Sequence, residues 1–311
     1  MSVSLVDTFC TVQFRGWSGQ ANLYFFRSGD STAETVRDFN DETTPGLRHR
    51  RLVGGNTTSI EDHPYQVSLE LMGVHVCGGT IVSEDWILTA AHCFRYSWTN
   101  VMIRAGTRTV MNGGSLHQVV NIVIYDKHTQ CGSQTADIAL VQISPPLRLD
   151  KTRRKVELPH SRYDTLKAGD ITNVTGWGLT EHGPTGDLYV FELPIFDRII
   201  CEDLYLSLVG GLVEGQICAG YYGENGKGAC AADGGGPLVS GEKIYGIVSW
   251  GRSCASPYYP GVYTDVAYYA DWIRERIKSP RKPKKFLPNN DIYNTNRDHE
   301  VADVAINFQL I

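Results

Sequence analysis

Short apolar runs of period two fill the middle of the chain, and a polypeptide patterned this way is committed to strands. In Tyr65-Gln66-Val67-Ser68-Leu69-Glu70-Leu71 the odd positions are apolar and the even ones polar, the alternation of a half-buried strand. Asp137-Ile138-Ala139-Leu140-Val141 and Ile244-Tyr245-Gly246-Ile247-Val248 are shorter runs of the same kind, with turn residues between them. One strong helical pattern comes last: Val266, Tyr269, Ala270, Ile273 and Ile277 share a face, and Asp265 stands where it can cap the helix. Many short strands closed by one helix predict an all-β chain of barrel type.

Around this centre the chain of 311 residues divides into three parts. Residues 1–51 end in the basic knot Arg48-His49-Arg50-Arg51, residues 52–279 carry the alternation, and residues 280–311 begin with Pro280-Arg281-Lys282-Pro283-Lys284-Lys285. This last part lacks apolar periodicity, so the expectation is a flexible tail. With 42% hydrophobic and 20% charged residues, a wholly disordered or coiled-coil protein is excluded. A net charge of -5 gives no basic surplus for nucleic acid or anionic membrane. No apolar run approaches the roughly 20 residues of a transmembrane helix. The 8 cysteines, an even number, point to an oxidising compartment. A signal peptide to match is not evident: Met1 to Phe14 has no basic start, and Asp7 breaks its apolar stretch.

Several strings carry chemistry. Thr89-Ala90-Ala91-His92-Cys93 follows the apolar strand Trp86-Ile87-Leu88, Asp137-Ile138-Ala139-Leu140 opens a strand with a carboxylate, and Cys230-Ala231-Ala232-Asp233-Gly234-Gly235-Gly236-Pro237-Leu238 is a glycine-rich turn entering a strand. Together with Arg51-Leu52-Val53-Gly54-Gly55, Cys77-Gly78-Gly79, Gly176-Trp177-Gly178 and Ser249-Trp250-Gly251, they stand in the order of the trypsin/chymotrypsin family of serine proteases, which the chain resembles across residues 52–279. The resemblance implies two six-stranded antiparallel β-barrels with a C-terminal helix, residues 1–51 forming a pro-segment. It also implies that His92 is the general base and Asp137 the buried carboxylate that fixes its tautomer and stabilises the imidazolium.

The nucleophile departs from the family. Where the family reads Gly-Asp-Ser-Gly-Gly-Pro, this chain reads Ala232-Asp233-Gly234-Gly235-Gly236-Pro237, so Gly234 occupies the place of the serine. Glycine offers no oxygen and no acyl-enzyme can form on it. Loss of the nucleophile costs an unrelated protease of the same constellation about 10⁶ in kcat, or roughly 8 kcal/mol of barrier at about 1.36 kcal/mol per decade. Ala232 replaces a second glycine, the one whose N–H joins that of residue 234 in the oxyanion hole; a Cβ there can misdirect the donor.

By the same resemblance Gly228 takes the place of the aspartate at the base of a trypsin-like specificity pocket, with Ser249, Trp250, Gly251 and Gly261 along its walls. Without that carboxylate the pocket suits apolar or aromatic side chains better than Arg or Lys; Glu224 is the nearby acid that could reach in. Arg51 is the implied activation cleavage site, and the new amino group of Leu52 would pair with Asp233. The family's disulfides imply Cys77–Cys93, Cys201–Cys218 and Cys230–Cys254, loops worth about 3 kcal/mol each in a chain-entropy picture. Cys10 and Cys131 are left over, either bonded to each other or present as free or intermolecular thiols. Asn56-Thr57-Thr58 and Asn173-Val174-Thr175 are glycosylation acceptors if the chain is secreted.

No metal or other cofactor is expected: the segment from Arg104 through Gln118, which corresponds to the calcium loop of trypsin relatives, has no Asp or Glu. The leading reading is a secreted, catalytically inactive serine protease homologue that binds a protein or peptide ligand, possible partners including active proteases of an extracellular cascade. The alternative is an active serine endopeptidase, switched on by cleavage after Arg51. A third reading puts function in residues 1–51, where Trp17, Phe25 and Phe26 are apolar.

Overall fold

The computed structural model describes residues 55–94, 100–125, 136–180, 183–184, 186–223, 234–252, 256 and 258–278. The chain before Gly55 and after Lys278, with the roles expected there, lies outside the described residues. So do the expected roles of Cys131, Glu224, Gly228, Cys230, Ala232, Asp233 and Cys254.

Fifteen strands and two α-helices are present among the described residues. Six strands form a closed antiparallel barrel in the order β2 (Gln66–Leu71), β3 (Val74–Ile81), β4 (Trp86–Thr89), β7 (Ala139–Ser144), β6 (Ser115–Ile124) and β5 (Val101–Ala105). Its interior is packed by Val67, Leu69, Ile81, Ile87, Ile103 and Val141. The second sheet runs β1 (Asn56–Thr57), β11 (Tyr189–Pro194), β8 (Ile171–Gly176), β13 (Pro237–Ser240), β14 (Lys243–Trp250), β15 (Gly261–Asp265) and β12 (Gln216–Ala219). Ile195, just past the end of β11, bridges to Ala219 of β12, so six strands close on themselves and the two-residue β1 is an addition on β11. A small ribbon, β9 (Leu179–Thr180) with β10 (Gly183–Pro184), stands apart. The fold is chymotrypsin-like.

Helix α2 (Val266–Lys278) follows β15 directly. Asp265 Oδ1 accepts from the backbone N–H groups of Ala267 (3.0 Å) and Tyr268 (3.3 Å), as its place in the sequence anticipates. Val266, Tyr269 and Ile273 are buried in a cluster that also takes Leu88, Ile138 and Leu140 from the first barrel and Val239 and Ile247 from the second, and Ala270 is buried beside them on the same helix. The helix therefore packs across both barrels.

Two features differ from the sequence expectation. The alternation of Gln66–Leu71 predicts a half-buried strand, yet Gln66, Ser68 and Glu70 are buried as completely as Val67 and Leu69. Their side chains are satisfied inside the protein: Thr175 Oγ1 donates to Gln66 Oε1 at 2.5 Å, Ser68 Oγ meets His75 Nδ1 at 2.7 Å, and Glu70 is paired with Arg104. The second difference is helix α1 (Arg198–Val209). Its apolar residues lie all round the axis, so no stripe announces it. Asp197 Oδ1 caps it through the N–H groups of Ile199 and Ile200, Gly210 ends it at φ +82°, and the Cys201–Cys218 disulfide fastens it to β12.

Candidate active site

The pairing of β4 with β7 brings the two expected catalytic side chains together. β4 ends at Thr89 opposite Ala139. Beyond Thr89 the chain turns at once into a 3₁₀ turn, Ala91–Phe94, which carries His92; Asp137 stands two residues before Ala139. The approach to Asp137 is tight: Ala136 has φ +60°, and the Ile138 N–H donates back to the Ala136 carbonyl at 2.8 Å. An L-residue in this region costs about 1–2 kcal/mol and is held there by its surroundings.

Asp137 is held by four hydrogen bonds. Its Oδ2 lies 2.7 Å from His92 Nδ1 and accepts from Ser249 Oγ at 2.6 Å; its Oδ1 accepts from the His92 backbone N–H at 2.9 Å; its main-chain carbonyl accepts from Thr264 Oγ1 at 2.8 Å. Burial by itself pushes the carboxyl pKa up, but the bond and charge of His92, the Ser249 hydroxyl and the His92 N–H outweigh it, and the pKa falls below the ordinary carboxylate value. An ionised Asp137 places the imidazole proton on Nδ1 and leaves Nε2 with its lone pair, the arrangement of a general base. The side chain of Asp137 is 8% exposed and that of His92 26%, so the far edge of the imidazole meets solvent.

That edge is turned toward Gly234. A Cβ placed on Gly234 would lie 2.5 Å from His92 Nε2 and 3.1 Å from Cε1, inside contact distance. The backbone at 234 is outside the left-handed region, so the imidazole alone opposes a side chain there. Gly235 is different: its φ is +79°, its N–H donates to the Val248 carbonyl at 2.8 Å, and a side chain would overlap Thr89 Oγ1. The Gly234 carbonyl accepts from the Gly78 N–H at 2.8 Å, which ties the turn to the first barrel.

Of the expected pocket, Ser249 and Trp250 end β14 and Gly251 follows, while Gly261 opens the partner strand β15. A Cβ on Gly251 would stand 3.9 Å from the Gly261 Cα, so these two face each other with no side chain between them. Trp250 packs edge-on against Tyr205 of α1 at 4.9 Å. Cys77 is bonded to Cys93, which joins β3 to the turn bearing His92. These sulfurs lie close to the His92 ring, but the disulfide uses both and leaves no thiolate for a metal. The sequence offers Ser249 only as a wall residue; its bond to Asp137, and that of Thr264, join groups 112 and 127 positions apart and leave no signal in either string.

The fold is that of a serine protease, and it brings an imidazole and a buried carboxylate together where the two barrels meet. The trypsin family model matches residues 52–273, and the chain belongs to the trypsin family. It is 36% identical to a trypsin of Phaedon cochleariae over 76% of this chain and 91% of that protein. It is 39% identical to trypsin epsilon of Drosophila erecta (73% and 88% covered) and 37% identical to a vitellin-degrading protease of Bombyx mori (74% and 87%). Among solved structures, neuropsin, a serine protease of mouse brain, aligns with a TM-score of 0.65 at 29% identity, over 72% of this chain and 98% of that one.

Proposed function

We propose that this chain is an extracellular trypsin-family protein that binds a polypeptide without cleaving it and regulates other proteases in a cascade. The observation that carries this reading is the aim of His92: its Nε2 is directed at the place a side chain of residue 234 would occupy, a position with no oxygen to deprotonate. The hydrogen bond between His92 Nδ1 and Asp137 Oδ2 suits a base and its orienter, and neither Gly251 nor Gly261 puts a side chain into the expected pocket. Relatives named trypsin and vitellin-degrading protease support a protein or peptide as the ligand. Two disulfides support an oxidising compartment. Cleavage after Arg51, freeing Leu52 to pair with Asp233, would serve to order a binding surface.

A fluorophosphonate probe tests the reading. After cleavage at Arg51 the chain is expected to remain unlabelled, and stoichiometric labelling would establish the active endopeptidase instead. Gly234→Ser is expected to label only slowly, because the new Cβ and the imidazole compete for one space. Labelling as fast as that of an active trypsin would show that His92 withdraws without cost.

A further inference from the structure

Helix α1 presents an apolar surface to solvent. Ile199, Ile200, Leu206, Leu208 and Val209 are all exposed, Ile199 by 79% and Ile200 by 54%, on a helix of 12 residues. Isolated exposed apolar residues are ordinary, but a cluster of this kind marks an interaction surface. Ile200, Leu204 and Leu208 follow one another at intervals of four and so form a line along the helix.

Leu204, in the middle of that line, is one wall of a cavity of about 510 Å³ whose other described walls are Tyr222, Arg252, Ser256, Tyr258 and Tyr259. The walls are held in place. Ser256 Oγ accepts from the backbone N–H groups of Tyr258 (3.3 Å) and Tyr259 (3.2 Å). The buried Tyr205 hydroxyl donates to the Pro260 carbonyl at 2.8 Å and accepts from the Arg252 backbone N–H, joining α1 to the far wall. Arg252 Cζ sits 4.6 Å from the centre of the Tyr259 ring. Among the described residues Arg252 is the one charged wall residue and has no ion pair, and it is exposed. A preset guanidinium above an aromatic floor, beside a line of aliphatic side chains, complements a carboxylate adjoining a large apolar group.

We infer that this groove is a docking site for a partner polypeptide, which places a large apolar side chain between Tyr222 and Tyr258 and an adjacent Asp or Glu on Arg252. None of its residues belongs to the His92–Asp137–Gly234 site, so the docking site stands whether or not the chain cleaves peptide bonds.

The test uses the full chain and two fluorescein-labelled peptides, Gly-Ser-Leu-Phe-Asp-Ser-Gly and its Asn-for-Asp counterpart, read by fluorescence anisotropy. The acidic peptide is expected to bind about tenfold tighter, the discrimination of one charge-assisted hydrogen bond. Arg252→Glu is expected to abolish that preference; the backbone N–H that holds Tyr205 survives the change. Ile200→Asp is expected to weaken both peptides at least fivefold, on the order of 1 kcal/mol for a lost apolar contact, with an unchanged thermal melt. Equal binding of the two peptides, no saturation by about 1 mM, or an Arg252→Glu variant that behaves like the parent overturns the proposal. Self-association that Ile200→Asp abolishes also overturns it and assigns the face to a second copy of the chain.

Discussion

Asp137 is the buried carboxylate of the candidate site. Its folded pKa is depressed, so the stabilisation it supplies is present above the ordinary carboxylate range and is lost as pH falls through the folded value. The stability gap between the parent and Asp137→Asn, measured by urea denaturation across pH, should therefore be widest near neutrality and close in acid; a gap independent of pH contradicts the assignment. A second buried charge behaves more simply. Glu70 is buried and its two oxygens take Arg104 Nε at 2.6 Å and Nη2 at 3.2 Å, while Arg104 Nη1 donates to the Gly113 carbonyl at 2.6 Å. Arg104→Ala strands Glu70 and should cost about 3–5 kcal/mol. A Glu70→Gln/Arg104→Met double variant should recover part of that in the same denaturation assay.

Among the elements, the two helices show what a sequence does and does not reveal. α2 was legible because Val266, Tyr269, Ala270 and Ile273 fall on one face and Asp265 precedes them; Asp265→Ala should cost about 1 kcal/mol, seen as a lower Tm. α1 was hidden because what sustains it is a cap at each end and a disulfide, none of which has a period. β2 was legible as a strand, but the burial of Gln66, Ser68 and Glu70 depends on Thr175, His75 and Arg104, distant in sequence and brought up by the fold. The site divides in the same way. His92 and Asp137 were readable from their strings, because each string also forms the strand end that delivers it. The advance of the imidazole to within 2.5 Å of a Cβ at 234 was not readable, since it is a distance between two barrels.

For the whole molecule, the two barrels meet backbone to backbone. Gly78, on β3, passes Gly236 so closely that a Cβ would meet its Cα at 2.9 Å, and the Gly78–Gly234 bond crosses the same junction. The barrels are closed in unequal ways. The first is laced by continuous ladders, whereas the second is closed by the bridge of Ile195 with Ala219 and the two bonds beside it, Phe196 N–H to Cys218 O and Gly220 N–H to Pro194 O. A hoop fastened by one clasp breathes at the clasp. Hydrogen–deuterium exchange should find the Phe196 and Gly220 amides opening well before those of Val174 and Leu238 in the middle of the sheet; equal protection would mean the clasp is as firm as the ladders. Because Cys218 adjoins the clasp and is bonded to Cys201, each opening tugs on α1. A partner resting on that helix would quiet the motion, and its arrival could be read as slowed exchange at amides it never touches.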